Sequence, residues 1–156
     1  MPERMQALDL VQKSRVQVSQ VSQISQVSRG EPAPRIERRV MKITAYSAGK
    51  ESTGKTPSSP TYGQTAISTP THPIYAKEWY TIAAPPDIPI GTKIYIPFFA
   101  DKPNKGVFVV EDRGGGIKGN KLDVYFGDPA RDKTVVRRAL GFGVHELEVM
   151  VDDRGE

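Results

Sequence analysis

The sequence predicts a mainly β domain, a small closed or nearly closed barrel of six strands with one short helix, behind an N-terminal tail. Three observations carry this reading: six short runs rich in Ile, Val, Tyr and Phe, the thirteen prolines and fourteen glycines that punctuate them, and one segment with helical start and stop signals. A length of 156 residues leaves room for one domain of moderate core plus a tail.

The strand runs are Val40–Tyr46, Tyr80–Ala84, Thr92–Pro97, Gly106–Glu111, Lys121–Phe126 and His145–Val151. In the last of these Leu147, Val149 and Val151 alternate with polar or charged neighbours, the pattern of a half-buried strand. The helix is expected to follow Asp128. That residue is a good N-cap, Pro129 suits the first helical position, Val135, Val136 and Leu140 supply an apolar stripe, and Gly141 can end it. A domain over residues 40–152 results, preceded by residues 1–39 as tail and linker.

The tail contains Val18-Ser19-Gln20, Val21-Ser22-Gln23, Ile24-Ser25-Gln26 and Val27-Ser28-Arg29. An apolar stripe of period three drifts about 60° per repeat on a helix of 3.6 residues per turn and cannot hold one face to a core. A disordered stalk or a frayed helix is expected; a self-associating helix is the alternative, because no Gly or Pro interrupts Glu3 to Arg29. Gly30-Glu31-Pro32-Ala33-Pro34 reads as a linker. Residues 1–39 hold seven Lys/Arg against four Asp/Glu, so three of the four excess positive charges lie in the tail and the domain is nearly neutral. That balance points to solvation rather than to nucleic-acid binding.

The chain has no cysteine, which excludes disulfides, thiol nucleophiles and cysteine-based metal sites. No apolar run is long enough to span a bilayer, and no apolar segment of secretory type opens the chain.

The segment with chemistry runs from Gly106 to Phe126, as strand, glycine loop and strand. On the second strand Leu122, Val124 and Phe126 share one face, and Asp123 and Tyr125 share the other. Aspartate is disfavoured inside strands, so Asp123 needs a solvated edge, a hydrogen bond or a catalytic task to explain it. The glycines Gly114, Gly115 and Gly116 allow a tight turn or a close approach to a ligand. Gly114 to Gly119 spells GxGxxG, yet a strand follows where dinucleotide binding needs a helix, and Asn120 stands where a phosphate loop needs lysine. Asp112 and Asp123 have the end-to-end spacing of a calcium loop, but Gly114 and Gly116 occupy its ligand positions. No metal site or cofactor is expected.

The chain from about Met41 to Met150 resembles the 3D domain, named for three aspartates and found in bacterial stationary-phase and cell-wall proteins and at the end of MltA-type lytic transglycosylases. The residues that carry the resemblance are Thr44-Ala45-Tyr46, Tyr62 to Ser68, Thr81 to Ala84, Ile88 to Thr92, Glu111 to Gly115, Ile117 to Asn120 and Leu122 to Phe126. It implies a double-psi β-barrel that cleaves the β-1,4 bond between N-acetylmuramic acid and N-acetylglucosamine, leaving a 1,6-anhydromuramoyl end. Peptidoglycan strands are then the partner, and the cell envelope or the extracellular space is the expected location. Two of the aspartates map to Asp112 and Asp123. Pro85 occupies the position of the first, and Asp87 is the nearest carboxylate. Asp87 substituting, a site of two carboxylates, or a non-catalytic glycan-binding barrel are the three consequences.

A lytic transglycosylase can work with one acid/base, since the sugar's own C6 hydroxyl attacks. Asp123 is assigned both proton transfers, with Asp112 raising its pKa and Lys118 as the expected opposing charge. Thr65, Ser68 and Asn120 are candidate hydrogen-bonding residues, each equally at home in a turn. Trp79, Tyr62, Tyr75 and Tyr125 have rings suited to sugar stacking; Trp79 is expected in the core and Tyr125 in the groove beside Asp123. His72 and His145 are expected to be surface histidines.

Overall fold

The computed structural model describes residues 36–152. The repeat and the linker of the tail lie outside the described residues. Six strands alternate with loops: β1 (Ile36–Tyr46), β2 (Thr81–Ala83), β3 (Lys93–Tyr95), β4 (Val107–Asp112), β5 (Lys121–Tyr125) and β6 (His145–Asp152). They close into a barrel in the order β1-β5-β2-β4-β3-β6, with β6 returning to β1. Two neighbouring pairs are parallel, β1 with β5 and β2 with β4, and the other four are antiparallel.

The alternation of side chains decides what fills the barrel. Met41 and Ile43 of β1, Ile82 of β2, Ile94 of β3, Phe108 and Val110 of β4, Leu122 and Val124 of β5, and Val149 and Val151 of β6 are all buried in one cluster. Trp79 joins it, with ring centroids 5.7 Å from Phe99 and 5.6 Å from Phe126, so its ring serves the core.

The first strand begins earlier than the apolar run Val40–Tyr46 suggests. Ile36, Glu37, Arg38 and Arg39 pair with Asp152, Val151, Met150 and Val149, because β6 offers a free edge that backbone groups of any sequence can satisfy. The helix begins later. Asp128 caps a turn rather than a helix: its side chain accepts from Ala130 N at 2.9 Å and its carbonyl from Arg131 and Asp132 N. Helix α2 spans Val135–Phe142, buries Val135 and Ala139, and carries Gly141 inside it, with Gly143 closing its C-terminus. Leu140, expected on the apolar stripe, is 69% exposed, since the helix buries the face of Val135 and Ala139 and Leu140 lies about 100° round from Ala139. A four-residue helix, α1 (Lys50–Thr53), and a 3₁₀ turn at Pro97–Phe99 complete the elements.

The long connection from β1 to β2 folds back over the outward faces of β1 and β5. It is pinned by a bridge between Gln64 and Tyr75, by Tyr62 Oη donating to Asp128 at 2.6 Å, and by Ala66 N donating to Asp112 at 2.9 Å.

Candidate functional site

The two aspartates meet because of an irregularity in the ladder. In the β2–β4 pair, Thr81 faces Val109 and Ile82 faces Val110, but Ala83 faces Asp112, so Glu111 is an extra residue on β4. Side chains alternate along a strand, so without this bulge Asp112 would share the core-facing parity of Val110. The bulge turns it outward. Ala83 also faces Asp123 on β5, and Asp123 faces Thr44 on β1. A single row therefore crosses four strands as Thr44, Asp123, Ala83 and Asp112. The two carboxylates stand two strand spacings apart, about 10 Å between backbones. The short side chain of Ala83 leaves the floor between them low.

A groove of about 330 Å³ opens on this row, lined by Tyr46, Thr65, Asp112, Arg113, Ile117 and Asp123 among others. Asp123 is half-buried and accepts from Thr44 Oγ1 at 2.9 Å. Burial pushes its carboxyl pKa up and the charge of Asp112 adds to the rise, while the Thr44 hydrogen bond and the ammonium of Lys121 oppose it. Asp112 accepts three hydrogen bonds, from Tyr46 Oη at 2.7 Å, Ala66 N at 2.9 Å and Arg113 N at 2.8 Å. Tyr46 stays a neutral donor, because burial, followed by the charge and hydrogen bond of Asp112, holds its phenol well above the ordinary range.

Glycine and arginine shape the rim. At Gly114, a groove residue, an added Cβ would lie 2.9 Å from Ile117 Cγ1, so the turn closes on the buried Ile117 only with glycine there. Gly119 has φ +65 where the loop returns into β5. Arg113 Nη1 donates to the carbonyls of Ala84 and Pro85 at 3.0 and 2.7 Å, tying the end of β2 to the glycine loop.

Several expected residues lie elsewhere. Asp87 does not line the groove; it is 62% exposed at its side chain and pairs with Arg39 at 3.5 Å. Lys118 and Asn120 line a different cavity with Val40, Lys42, Lys121 and Glu146, and the cation that acts on Asp123 is Lys121 rather than Lys118. Ser68 accepts from Ile74 N at 3.0 Å and holds a turn. Gly115 is exposed and outside the groove. Tyr125 does share the outward face of Asp123, yet the long connection covers it to 3% exposure, and its ring packs edge-on against Tyr46 at 5.3 Å. Thr65 lines the groove, but its Oγ1 is buried without a partner among the described residues. His72 is exposed, and His145 contacts the Phe142 carbonyl through Nε2 at 2.6 Å.

Thr44, Tyr46, Ala66 and Arg113 lie in segments that carry the resemblance, but nothing along the sequence marks them as hydrogen-bond partners of Asp112 and Asp123. Only the parallel pairing of β1 with β5 brings Thr44 to Asp123, across 79 positions of sequence.

The family model of the 3D domain matches residues 80–151, a stretch that holds β2 to β6 and leaves β1, with Thr44 and Tyr46, outside it. None of the curated proteins compared with the chain matches it. Among solved structures, a crystal structure of MltA from E. coli is 23% identical over 56% of this chain, with a TM-score of 0.39. The E. coli lytic transglycosylase MltA in an apo-2 form of an aspartate-to-alanine variant is 21% identical over 55%, also at 0.39. A further crystal structure of MltA from Escherichia coli, described as revealing a unique lytic transglycosylase fold, is 26% identical over 56% at 0.38. In each case the chain spans about a quarter, 26%, of the solved structure's length. Over residues 80–151, a little under half of the chain, the sequence is similar to the 3D domain.

Proposed function

We propose that this chain is a peptidoglycan lytic transglycosylase, with Asp123 as its acid/base. The observation that carries the reading is a half-buried carboxyl of raised pKa, facing an open groove with a second carboxylate in the same cross-strand row. A raised carboxyl pKa is the direction that protonation of a glycosidic oxygen requires of its acid. Asp123 donates its proton to that oxygen as the bond to C1 of the muramic acid breaks. The C6 hydroxyl of the same sugar then bonds to C1 and returns its proton to Asp123, giving the 1,6-anhydro ring without water. Asp112, held by three donors, places negative charge beside the oxocarbenium-like centre. The glycan strands of the cell wall are the substrate on this reading, and the cell envelope or its exterior is the place of action.

The barrel is read as double-psi on the strength of its two parallel pairs, β1 with β5 and β2 with β4, within one closed sheet. Residues 40–152 are read as the domain around it, extended by the pairing of Ile36 to Arg39.

Purified peptidoglycan incubated with the protein is expected to release 1,6-anhydromuropeptides by mass spectrometry. Asp123→Asn should lower the release roughly 100- to 10,000-fold, the usual share of a general acid/base. Reducing-end products would make the protein a hydrolase instead. A second reading, a non-catalytic glycan-binding barrel, draws on the position of Asp87, which leaves the groove with two carboxylates where the resemblance implies three. It predicts glycan binding with no release from the unaltered protein.

A further inference from the structure

A second cavity of about 550 Å³ lies beside the groove and collects Tyr62, Tyr75, Tyr125, Glu78 and Arg131. Its volume falls in the roughly 300–1,000 Å³ typical of small-ligand sites. The two cavities share a wall. Gly63 lines the second cavity and the next residue, Gln64, lines the groove; Tyr125 lines the second cavity while its edge-on partner Tyr46 lines the groove.

Tyr75 is 53% exposed, although the bridge to Gln64 fixes its backbone and its ring lies over Gly63, 3.7 Å from where a Cβ would stand. An aromatic ring held in place and left uncovered is a stacking surface. Two of the polar groups around it are not paired off. Among the described residues, the side chains of Glu78 and Arg131 have no hydrogen-bond or salt-bridge partner, so both an acceptor and a donor remain open. Tyr62 is engaged, donating to Asp128 at 2.6 Å, and its phenol is pushed up to about 12 by burial and by that carboxylate. An exposed ring beside an open carboxylate and an open guanidinium suits a pyranose, whose C–H face stacks and whose hydroxyls both donate and accept.

We propose that this cavity is a sugar subsite that holds the glycan strand beyond the cleavage point, with Tyr75 as its stacking platform and Glu78 and Arg131 as its hydroxyl partners. The proposal rests on reading the groove as a glycan site and extends it, because adjacent residues, Gly63 and Gln64, line the two cavities.

The test uses the full chain carrying Asp123→Asn, so that the probe is not consumed, and long glycan strands freed of stem peptides by an amidase. Binding is measured by calorimetry. Adding Tyr75→Ala is expected to weaken it roughly 3- to 10-fold, in the range of a lost aromatic contact. Tyr75→Trp should retain binding, and so should Phe98→Ala, a control at an exposed ring that lines neither cavity. Equal affinity for Tyr75→Ala and its parent overturns the subsite. So does binding of peptide-bearing but not peptide-free strands, which would make the cavity a peptide site. If the unaltered protein releases no anhydromuropeptides yet binding still depends on Tyr75, the subsite stands and the enzyme reading falls.

Discussion

Tyr46→Phe deletes one hydroxyl and tests whether the groove is held together as its geometry implies. Tyr46 Oη donates to Asp112 Oδ2 at 2.7 Å, and the other two donors, Ala66 N and Arg113 N, both address Oδ1. Among the described residues no other hydrogen bond to Oδ2 replaces it. A hydrogen bond to a charged acceptor contributes about 1.5–3 kcal/mol, and a half-buried one belongs in the lower part of that range, about 1.5–2 kcal/mol. For the 117 residues from 36 to 152, an unfolding entropy of about 2.1 cal/mol/K per residue gives about 0.25 kcal/mol/K. The expected fall in Tm is therefore about 6–8 °C by circular dichroism. The phenol is raised far above its ordinary range, so it donates throughout the folded pH range and the fall should be the same at pH 6 and pH 9. A double-mutant cycle with Asp112→Ala should return a coupling of about 1–2 kcal/mol. A fall below about 2 °C, or full additivity in the cycle, refutes the argument that this contact organises Asp112.

Three further outcomes follow from the same site. Asp123→Asn should stabilise the fold at neutral pH: the folded carboxyl titrates above its ordinary 3.8, so the wild type carries no penalty below that value, loses stability as pH rises through the folded pKa, and bears the full penalty above it. The Tm gain of the variant over wild type should thus be near zero at pH 3 and grow as pH rises through the folded pKa; a gain that shrinks with rising pH is the opposite sign and rejects the shift. Lys121→Ala removes a charge that lowers the Asp123 pKa, so the alkaline limb of kcat/KM should move to higher pH, and a limb that stays or moves down removes Lys121 from the electrostatics. Thr65→Val replaces a buried, unpartnered hydroxyl with a methyl of similar shape and should leave stability unchanged or raise it by up to about 1 kcal/mol in urea denaturation; a loss above that would mean the hydroxyl is satisfied.

Most of the fold was legible because period-two alternation holds along β5 and along β4 up to its bulge. Leu122 and Val124 point inward and Asp123 outward as their spacing predicts, and Trp79 joins the core aromatics. The helix boundary was not legible, because Asp128 and Pro129 serve a turn as readily as a first helical turn, and only packing against the barrel selects Val135 and Ala139 for burial. Ser68, Lys118 and Asn120 are polar residues of loops, and loop chemistry does not say which wall a side chain joins.

The sequence by itself determined the mainly β class, the six strand segments and the outward face of Asp123, which depend on local alternation; Asp112 and Asp123 as a pair of candidate carboxylates came from the resemblance of their strand, loop, strand unit to the 3D domain. The tertiary structure alone decided that a bulge at Glu111 turns Asp112 to the same face as Asp123, that Thr44 and Tyr46 from β1 become their partners, that Asp87 pairs with Arg39 instead, and that Tyr125 is covered. The physical reason is that register and closure belong to pairs of strands far apart in the chain, and one extra residue in a ladder reverses which way every later side chain points.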